Sequence, residues 1–219
     1  TPSAQAALNA TSEKPIFYSA VTDPVAAGLE GLNITGTSDA TPIEKQIKLA
    51  KDLLGTFEKV GIMYNIGEAN SEAQVNQVKE LGKKEGFEVI AKGITNVNEI
   101  AQGMDAIIDQ VDFIYTPVDN MLASSYPVIV KKANEKNKAV IGSVTDFVSQ
   151  GALATEGINQ YKIGVQTADM IVKYLEGAKI ENLPFETIKE TDLVINENVL
   201  NTLGLKISEE LTKRAKFIK

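Results

Sequence analysis

Four short stretches carry the side chains able to do chemistry. They are Ser19-Ala20-Val21-Thr22-Asp23; Asn65 with Glu68, Asn70 and Ser71; Thr116 with Asp119 and Asn120; and Ser143-Val144-Thr145-Asp146. Each follows a short apolar run of strand length and precedes a segment of helical period. Each therefore reads as the βα corner where open α/β sheets bind ligands. Together they offer hydroxyls, amides and carboxylates but few cations, a lining that suits a polar ligand carrying an ammonium group. A phosphate does not suit it: there is no Gly-rich phosphate loop, and Arg214, the only Arg, lies far along the chain from all four.

Ser, Thr, Asp and Asn are also the preferred helix caps, so a single corner of this kind says nothing beyond capping. Four of them together point to a small-molecule site. Val-Thr-Asp-X-Val occurs twice, at 21–25 and 144–148, which suits two similar lobes facing one cleft. Tyr18, Tyr64, Tyr115 and Phe147 sit at or near the same strand ends. Core packing is the default for each, because alternation along a strand turns only some of them outward. One that does face a site would suit an aromatic or apolar ligand part. Asp105, Asp109 and Asp112 have the spacing of a solvated helix face and a strand start, and Lys83-Lys84 and Lys131-Lys132 read as solvated faces.

Composition narrows the chemistry further. The 219 residues include no Cys and no His. This removes thiol nucleophiles, Ser-His triads, imidazole metal sites and the commonest general base. No catalytic residue, metal or cofactor is expected. A net charge of -7 argues against a nucleic-acid partner, which wants a basic face. No run approaches the length of a membrane span, and no signal peptide is visible. Thr1-Pro2-Ser3-Ala4-Gln5 reads as a further strand-to-helix corner whose strand is missing, so the chain is expected to be a truncated, processed or partly observed product.

The elements that must position these residues follow in order. A helix over 4–8 ends at Lys14-Pro15, and a strand covers 16–21. Asp23 and Pro24 are expected to start a short helix over 25–29, followed by a strand over 34–37. Thr41-Pro42-Ile43-Glu44 starts a helix with Ile43, Ile47, Ala50, Leu53 and Leu54 at helical spacing, stopped by Gly55. Strand 59–64 leads to a helix through Ala73, Val75, Val78 and Leu81, closed by Gly86. Strand 87–91 leads to a helix capped by Asn96 or Asn98, through Ile100, Met104, Ile107 and Ile108. Strand 113–115 is followed by a helix from Asn120 to about Asn137, and strand 138–142 by a helix over 147–150 with Thr145-Asp146 as its cap. Then come a brief strand at 152–155, a long helix over 159–175 closed by Gly177, and extended segments at 184–190 and 192–196. Helices over 198–203 and 208–215 end the chain. At least six βα corners and helices of ten or more residues predict an α/β fold with mainly parallel sheets and right-handed crossovers.

Several motifs, taken in order, carry a resemblance. They are Tyr18-Ser-Ala-Val-Thr-Asp-Pro-Val-Ala-Ala-Gly28, Asn33-Ile-Thr-Gly-Thr37, Val60-Gly-Ile-Met-Tyr-Asn65 with Glu68-Ala-Asn-Ser71, Thr116-Pro-Val-Asp-Asn120 and Gly151-Ala-Leu-Ala154. Over nearly its whole length the chain resembles the ABC-transporter substrate-binding family that includes tryptophan- and tyrosine-associated binding proteins. The resemblance implies a two-lobe type I periplasmic-binding-protein fold whose lobes are joined by three crossing strands. Residues 1–37 and 158–185 would form lobe one, which would be incomplete, and residues 38–157 and 186–219 lobe two. The relatives' pattern differs in two ways: they have more sequence before Thr1, including an export signal and in many cases a lipid-attachment Cys, and a longer Gly-rich segment between Gly28 and Asn33.

The function expected from this resemblance is that of a non-catalytic, monomeric, extracytoplasmic receptor of an ABC importer. It would hold a small amino-acid-like ligand, an aromatic amino acid being the family-level expectation, in the interlobe cleft and pass it to membrane permease subunits. The expected ligand-contacting residues are Ser3, Ser19, Thr22, Asp23, Tyr64, Asn65, Glu68, Asn70, Ser71, Thr116, Asp119, Asn120, Ser143 and Asp146. Asp23, Asp119 or Asp146 would pair with a ligand ammonium, and Ser19, Thr22, Thr116 and Ser143 would bond its polar edge. The alternative is an intracellular ligand-sensing domain like the effector-binding half of LacI-type regulators. A carboxylate-based α/β enzyme ranks third.

Overall fold

The computed structural model describes all 219 residues, Thr1–Lys219. In chain order the elements begin with α1 (Pro2–Ala10), β1 (Ile16–Val21), β2 (Ile34–Ser38), α2 (Ile43–Leu54), β3 (Lys59–Asn65), α3 (Ala69–Glu85) and β4 (Glu88–Ile94). Next come α4 (Glu99–Ile107), β5 (Phe113–Thr116), α5 (Asn120–Ser124), α6 (Tyr126–Glu135), β6 (Ala139–Gly142), α7 (Thr145–Ser149) and β7 (Ala154–Gly157). The last are α8 (Gln160–Leu175), β8 (Glu186–Thr187), β9 (Asp192–Asn196), α9 (Glu197–Thr202), α10 (Glu209–Arg214) and β10 (Lys216–Ile218).

The chain divides into two compact units. One comprises Thr1–Thr41, Glu68–Asn70 and Ile158–Glu190; the other comprises Pro42–Gly67, Ser71–Gly157 and Thr191–Lys219. In the first, β1, β2 and β8 form a parallel sheet in that order, with α1 and α8 packed on β1. Residues 186–190, expected with the second lobe, belong to this unit. The cause is the pairing of Glu186 and Thr187 with Thr37 and Ser38. The pairing of β1 with β2 slips between Tyr18 and Val21, and Ala20 takes a left-handed φ of 61° there. A bulge of this kind re-aims the side chains around it, and here it lies inside the Ser19–Asp23 corner. Opposite it, Gly36 is required, because a Cβ at that position would collide with the Tyr18 carbonyl oxygen.

The second unit carries a seven-stranded sheet in the order β10-β9-β7-β6-β5-β3-β4. All its pairs are parallel except β7 with β9. Alternation sorts the strand residues onto two faces. Val60, Ile62, Phe113 and Tyr115 join Ile43, Ile47, Ala50 and Leu53 of α2 and Val75 and Val78 of α3 in one core. Met63, Ile114 and Val140 join Ile100 and Met104 of α4, Ile129 of α6 and Phe147 of α7 in the other. Helices on both faces explain why β5 and β6 are buried throughout, as short apolar runs in a parallel sheet should be.

The expected α/β architecture with mainly parallel sheets is therefore the observed one, with local corrections. Asp23 and Pro24 start only a single turn, because Gly28 takes φ 69° and ends it. The helix expected over 120–137 is two helices, broken at Ser125, since Pro127 supplies no backbone donor to the preceding turn. Thr145 and Asp146 do not cap α7: its N-cap is Val144, with no side-chain bond, and both residues lie inside the helix. The strand expected at 152–155 runs from Ala154 to Gly157, because its partners are Ile141 on one side and β9 on the other. An edge strand, β10, follows α10 where no strand was expected.

One buried side chain ties the second unit's layers together. Gln46 of α2 is fully buried. Its amide donates to the carbonyl oxygens of Ser143 at 2.9 Å and Glu156 at 3.3 Å, and its Oε1 accepts from the Tyr115 hydroxyl at 2.8 Å. Replacing it by an isosteric apolar residue leaves three buried groups unpaired at the ends of β5, β6 and β7. Gln46→Leu is expected to destabilise the protein by about 3 kcal/mol, read as a lower urea midpoint with an unchanged slope.

Candidate functional site

The polar corners lie at the carboxyl ends of the parallel strands, where such sheets bind ligands. In the first unit, β1 delivers Ser19 and Thr22, and β2 delivers Ser38 and Asp39. Ser19 is exposed as a residue, and its Oγ lies 3.1 Å from Thr167 Oγ1 of α8. Thr167 Oγ1 in turn lies 2.6 Å from Thr37 Oγ1, so a chain of hydroxyls joins β1, β2 and α8. Thr22 is 7% exposed, and its carbonyl oxygen accepts from Ser38 Oγ at 3.1 Å. Asp23 uses Oδ1 to accept from the Ala26 N–H at 2.9 Å in an exposed turn, so its carboxylate does local capping work. Ser3 is exposed on α1. Glu68 and Asn70, both buried, group with this unit.

Asp39 is the residue that sequence reasoning passed over. It is 3% exposed, and one of its oxygens, Oδ1, is buried without a hydrogen-bond partner. Burial pushes its carboxyl above the ordinary carboxylate range, although hydrogen bonds from the Thr22 and Gln160 side chains pull the other way. The available signal was position: Asp39 directly follows a short strand, as the other corner residues do.

In the second unit the organising group is the Asp119 carboxylate, which is 2% exposed. Oδ2 accepts from the Asn65 N–H at 2.7 Å and from Ser71 Oγ at 2.7 Å. Oδ1 accepts from the Leu122 N–H at 2.9 Å, capping α5. One side chain thus fixes the end of β3, the start of α3 and the start of α5, bringing Asn65, Ser71, Thr116 and Asn120 into one neighbourhood. Asn65 folds back on its own turn, its Oδ1 accepting from the Gly67 N–H at 2.9 Å. Thr116 Oγ1 lies 2.9 Å from the Tyr126 hydroxyl, whose ring stacks on Phe147 with centroids 4.1 Å apart. Ser143 is 1% exposed with its Oγ unpartnered, while Asp146 is exposed on α7.

Of the four corner aromatics, Tyr18, Tyr115 and Phe147 are core residues, and Tyr64 alone stays half-buried. Burial pushes the Tyr18 hydroxyl up to about 12 and those of Tyr115 and Tyr126 higher still, so all three stay neutral hydrogen-bonding groups at any physiological pH. Asp105 and Asp109 pair with Lys132 and Lys136 at 2.8 and 2.9 Å. Burial pushes the Asp112 carboxyl up, but the Lys59 and Glu58 N–H groups it accepts from bring it below its ordinary value.

The whole chain, residues 1–219, matches the model of the ABC transporter substrate binding protein family. The chain belongs to that family. It is 40% identical over 223 residues to a tyrosine-binding protein of Clostridioides difficile, covering 99% of this chain and 65% of the relative. It thus spans less than two-thirds of that relative's length. Among solved structures, the ABC domain of Streptococcus pneumoniae in complex with L-Trp is 34% identical with a TM-score of 0.94. This chain is covered in full, and 76% of that one. A conserved domain protein of Vibrio cholerae is 36% identical with the same TM-score and the same coverage.

Asp119 holds strands and helices in register, so its loss should show first in stability. Asp119→Ala is expected to cost about 2–4 kcal/mol, since a buried cap and a charge-assisted network go together. Chemical denaturation of the ligand-free protein is the measurement, with Asp119→Asn expected to retain part of the loss.

Proposed function

We propose that this chain is the solute-capturing part of an ABC importer and that it binds a small amino acid without transforming it. The observation that carries the reading is the family match over all 219 residues. Two relatives point to the ligand class: the tyrosine-binding protein of Clostridioides difficile and the L-Trp complex from Streptococcus pneumoniae. L-tyrosine and L-tryptophan are therefore the first ligands to test. The site chemistry supports the class. The strand ends of each unit present acceptors and hydroxyls, with buried carboxylates and no Arg, as an ammonium-bearing solute requires.

In this reading Ser19, Thr22, Glu68 and Asn70 on the first unit and Tyr64, Thr116, Asn120 and Ser143 on the second contact ligand. Asp119, Asn65 and Ser71 hold the second set in place. Tyr64, the one corner aromatic left half-buried, is the candidate to lie against a ligand ring. The protein works outside the cytoplasm, tethered through a lipidated Cys upstream of this chain. It acts as a monomer and passes solute to membrane permease subunits. Ligand shifts the equilibrium between its open and closed states by its differential affinity for them. A LacI-type sensor shares the fold: a ribose operon repressor protein of Lactobacillus acidophilus is 17% identical with a TM-score of 0.52. That likeness reaches the fold alone, and the family match favours transport.

The test is ligand-induced stabilisation. At about 100 times Kd, a ligand adds about 2.7 kcal/mol. For a chain of this size that is a rise in Tm of roughly 5–10 °C. L-tyrosine or L-tryptophan should give this shift and sugars none, and mass spectrometry should recover the amino acid intact. Stabilisation by sugars alone would overturn the reading.

Ser143 gives a second measurement. Its hydroxyl makes no bond within the protein. Ser143→Ala should leave stability within about 0.5 kcal/mol of the parent, while weakening amino-acid binding about tenfold through loss of one hydrogen bond. Isothermal titration reads the second effect.

A further inference from the structure

Asp39 combines three properties that a purely structural aspartate does not need. It is nine-tenths buried or more, its Oδ1 has no partner, and its remaining hydrogen bonds come from neutral groups, the Thr22 and Gln160 side chains and its own backbone N–H. No Lys or Arg side chain is among the groups that act on its carboxylate. Asp39 and Glu68 both lie close to the Thr1 backbone nitrogen, so the two carboxylates share one small region. Glu68 is itself 5% exposed.

We propose that Asp39, with Glu68 beside it, is the group that holds the ammonium of the amino-acid ligand. The inference rests on the functional reading above and sharpens it, moving the charge contact away from the three aspartates that the sequence offers. Asp23 caps an exposed turn, Asp119 is committed to three donors, and Asp146 lies exposed on a short helix. Asp39 has already left water when the protein folds, so a bound ammonium meets an acceptor with little left to desolvate. In that setting an N–H donor of opposite charge is worth far more than at the surface. Thr22 and Gln160 fix the carboxylate from the other side and leave Oδ1 for the ligand.

The sign of the stability effect follows from the same geometry. A carboxyl whose folded-state pKa is raised binds its proton more tightly folded than unfolded, so above that pKa the ionised group costs folding stability. Asp39→Asn removes this cost. The unliganded variant should therefore melt above the parent at pH 7, by ~2–4 °C for a chain of this length. An aspartate with a structural role would give the opposite shift.

The binding test pairs L-tyrosine with its desamino analogue, 3-(4-hydroxyphenyl)propionate, by isothermal titration on parent, Asp39→Asn and Glu68→Gln. Asp39→Asn is expected to weaken L-tyrosine about 10- to 100-fold, the range for a charge-assisted hydrogen bond, and to leave the analogue's affinity unchanged. Glu68→Gln should weaken L-tyrosine less. Equal affinity of Asp39→Asn and parent for L-tyrosine overturns the assignment while leaving the functional reading intact. So does an equal loss for both ligands, which is what general damage to the site produces. A parent protein that binds no amino acid overturns both together.

Discussion

A carboxylate removed from water must be surrounded by donors, and the two buried corner aspartates of this chain meet that requirement in different ways. Asp119 gathers two backbone N–H groups and a hydroxyl, each within 2.9 Å. Asp39 gathers two neutral side chains and leaves one oxygen without a partner. Both follow short strands of parallel sheets, so topology alone does not separate them. The difference lies in what converges on each. The end of β3 and the starts of α3 and α5 all point their donors at Asp119, because three segments meet there. At Asp39 the sheet has only three strands, and fewer segments bring donors to the corner. A fully satisfied buried carboxylate stiffens a wall, whereas a partly satisfied one stores a preference for a cation.

A further buried carboxylate works at places where the chain enters and leaves the larger unit. Glu156, only 9% exposed, accepts from Arg214 at 3.1 Å and from Thr191 Oγ1 at 3.2 Å, with Lys45 at 3.9 Å. Lys45 also donates to Thr191 Oγ1 at 3.1 Å. Apart from the short excursion at Glu68–Asn70, the chain enters this unit at Pro42, leaves after Gly157 and returns at Thr191. The only Arg in the sequence is spent here, holding the ends of these connections to the sheet. With two cations and a hydroxyl around it, Glu156 is compensated, and removing one partner would leave charge behind in a poorly solvated place. The bridge also explains why a short helix ending at Arg214 can dock at the margin of a sheet with little apolar surface of its own. Leu211 is its single buried residue.

Much of this was legible in the sequence because it depends on local pattern. The helical spacing of Ile43, Ile47, Ala50 and Leu53 gave α2, and the apolar runs at Val60–Tyr64 and Phe113–Tyr115 gave β3 and β5, since period and length are properties of the segment itself. The errors share a different cause. The break at Ser125 is the exception, a local one that Pro127 signals, since its ring supplies no backbone donor to the preceding turn. Strand β10 exists because β9 offers it an edge. Thr145 and Asp146 look like caps by composition, yet α7 begins one residue too early for either to act as one. At the site, the corners were found because polar residues after apolar runs are visible in one dimension. Which of them are satisfied is not visible. Asp119 and Asp39 differ by partners 3 to 121 residues away, and that difference exists only once the chain is folded.

The same contrast bears on how stability and binding are divided over the chain. Groups that hold the walls are saturated: Gln46 is bonded on both its amide oxygen and nitrogen, and Asp119 on both oxygens. The groups left short of partners, Asp39 Oδ1 and Ser143 Oγ, sit beside saturated ones rather than apart from them. Thr22 accepts from Ser38 through its carbonyl while its side chain steadies Asp39, and Ser143 offers its carbonyl to Gln46 while its hydroxyl stays unused. An unsatisfied buried atom is costly and tends to be relieved by local rearrangement unless its neighbours are rigid. Here the rigidity is supplied by backbone bonds of the same or the adjacent residue, which lets the side chain remain unpaired at a fixed position. That arrangement is what preorganised recognition requires: the folding of the sheet pays for orientation in advance, so that a solute completing those bonds loses little on arrival.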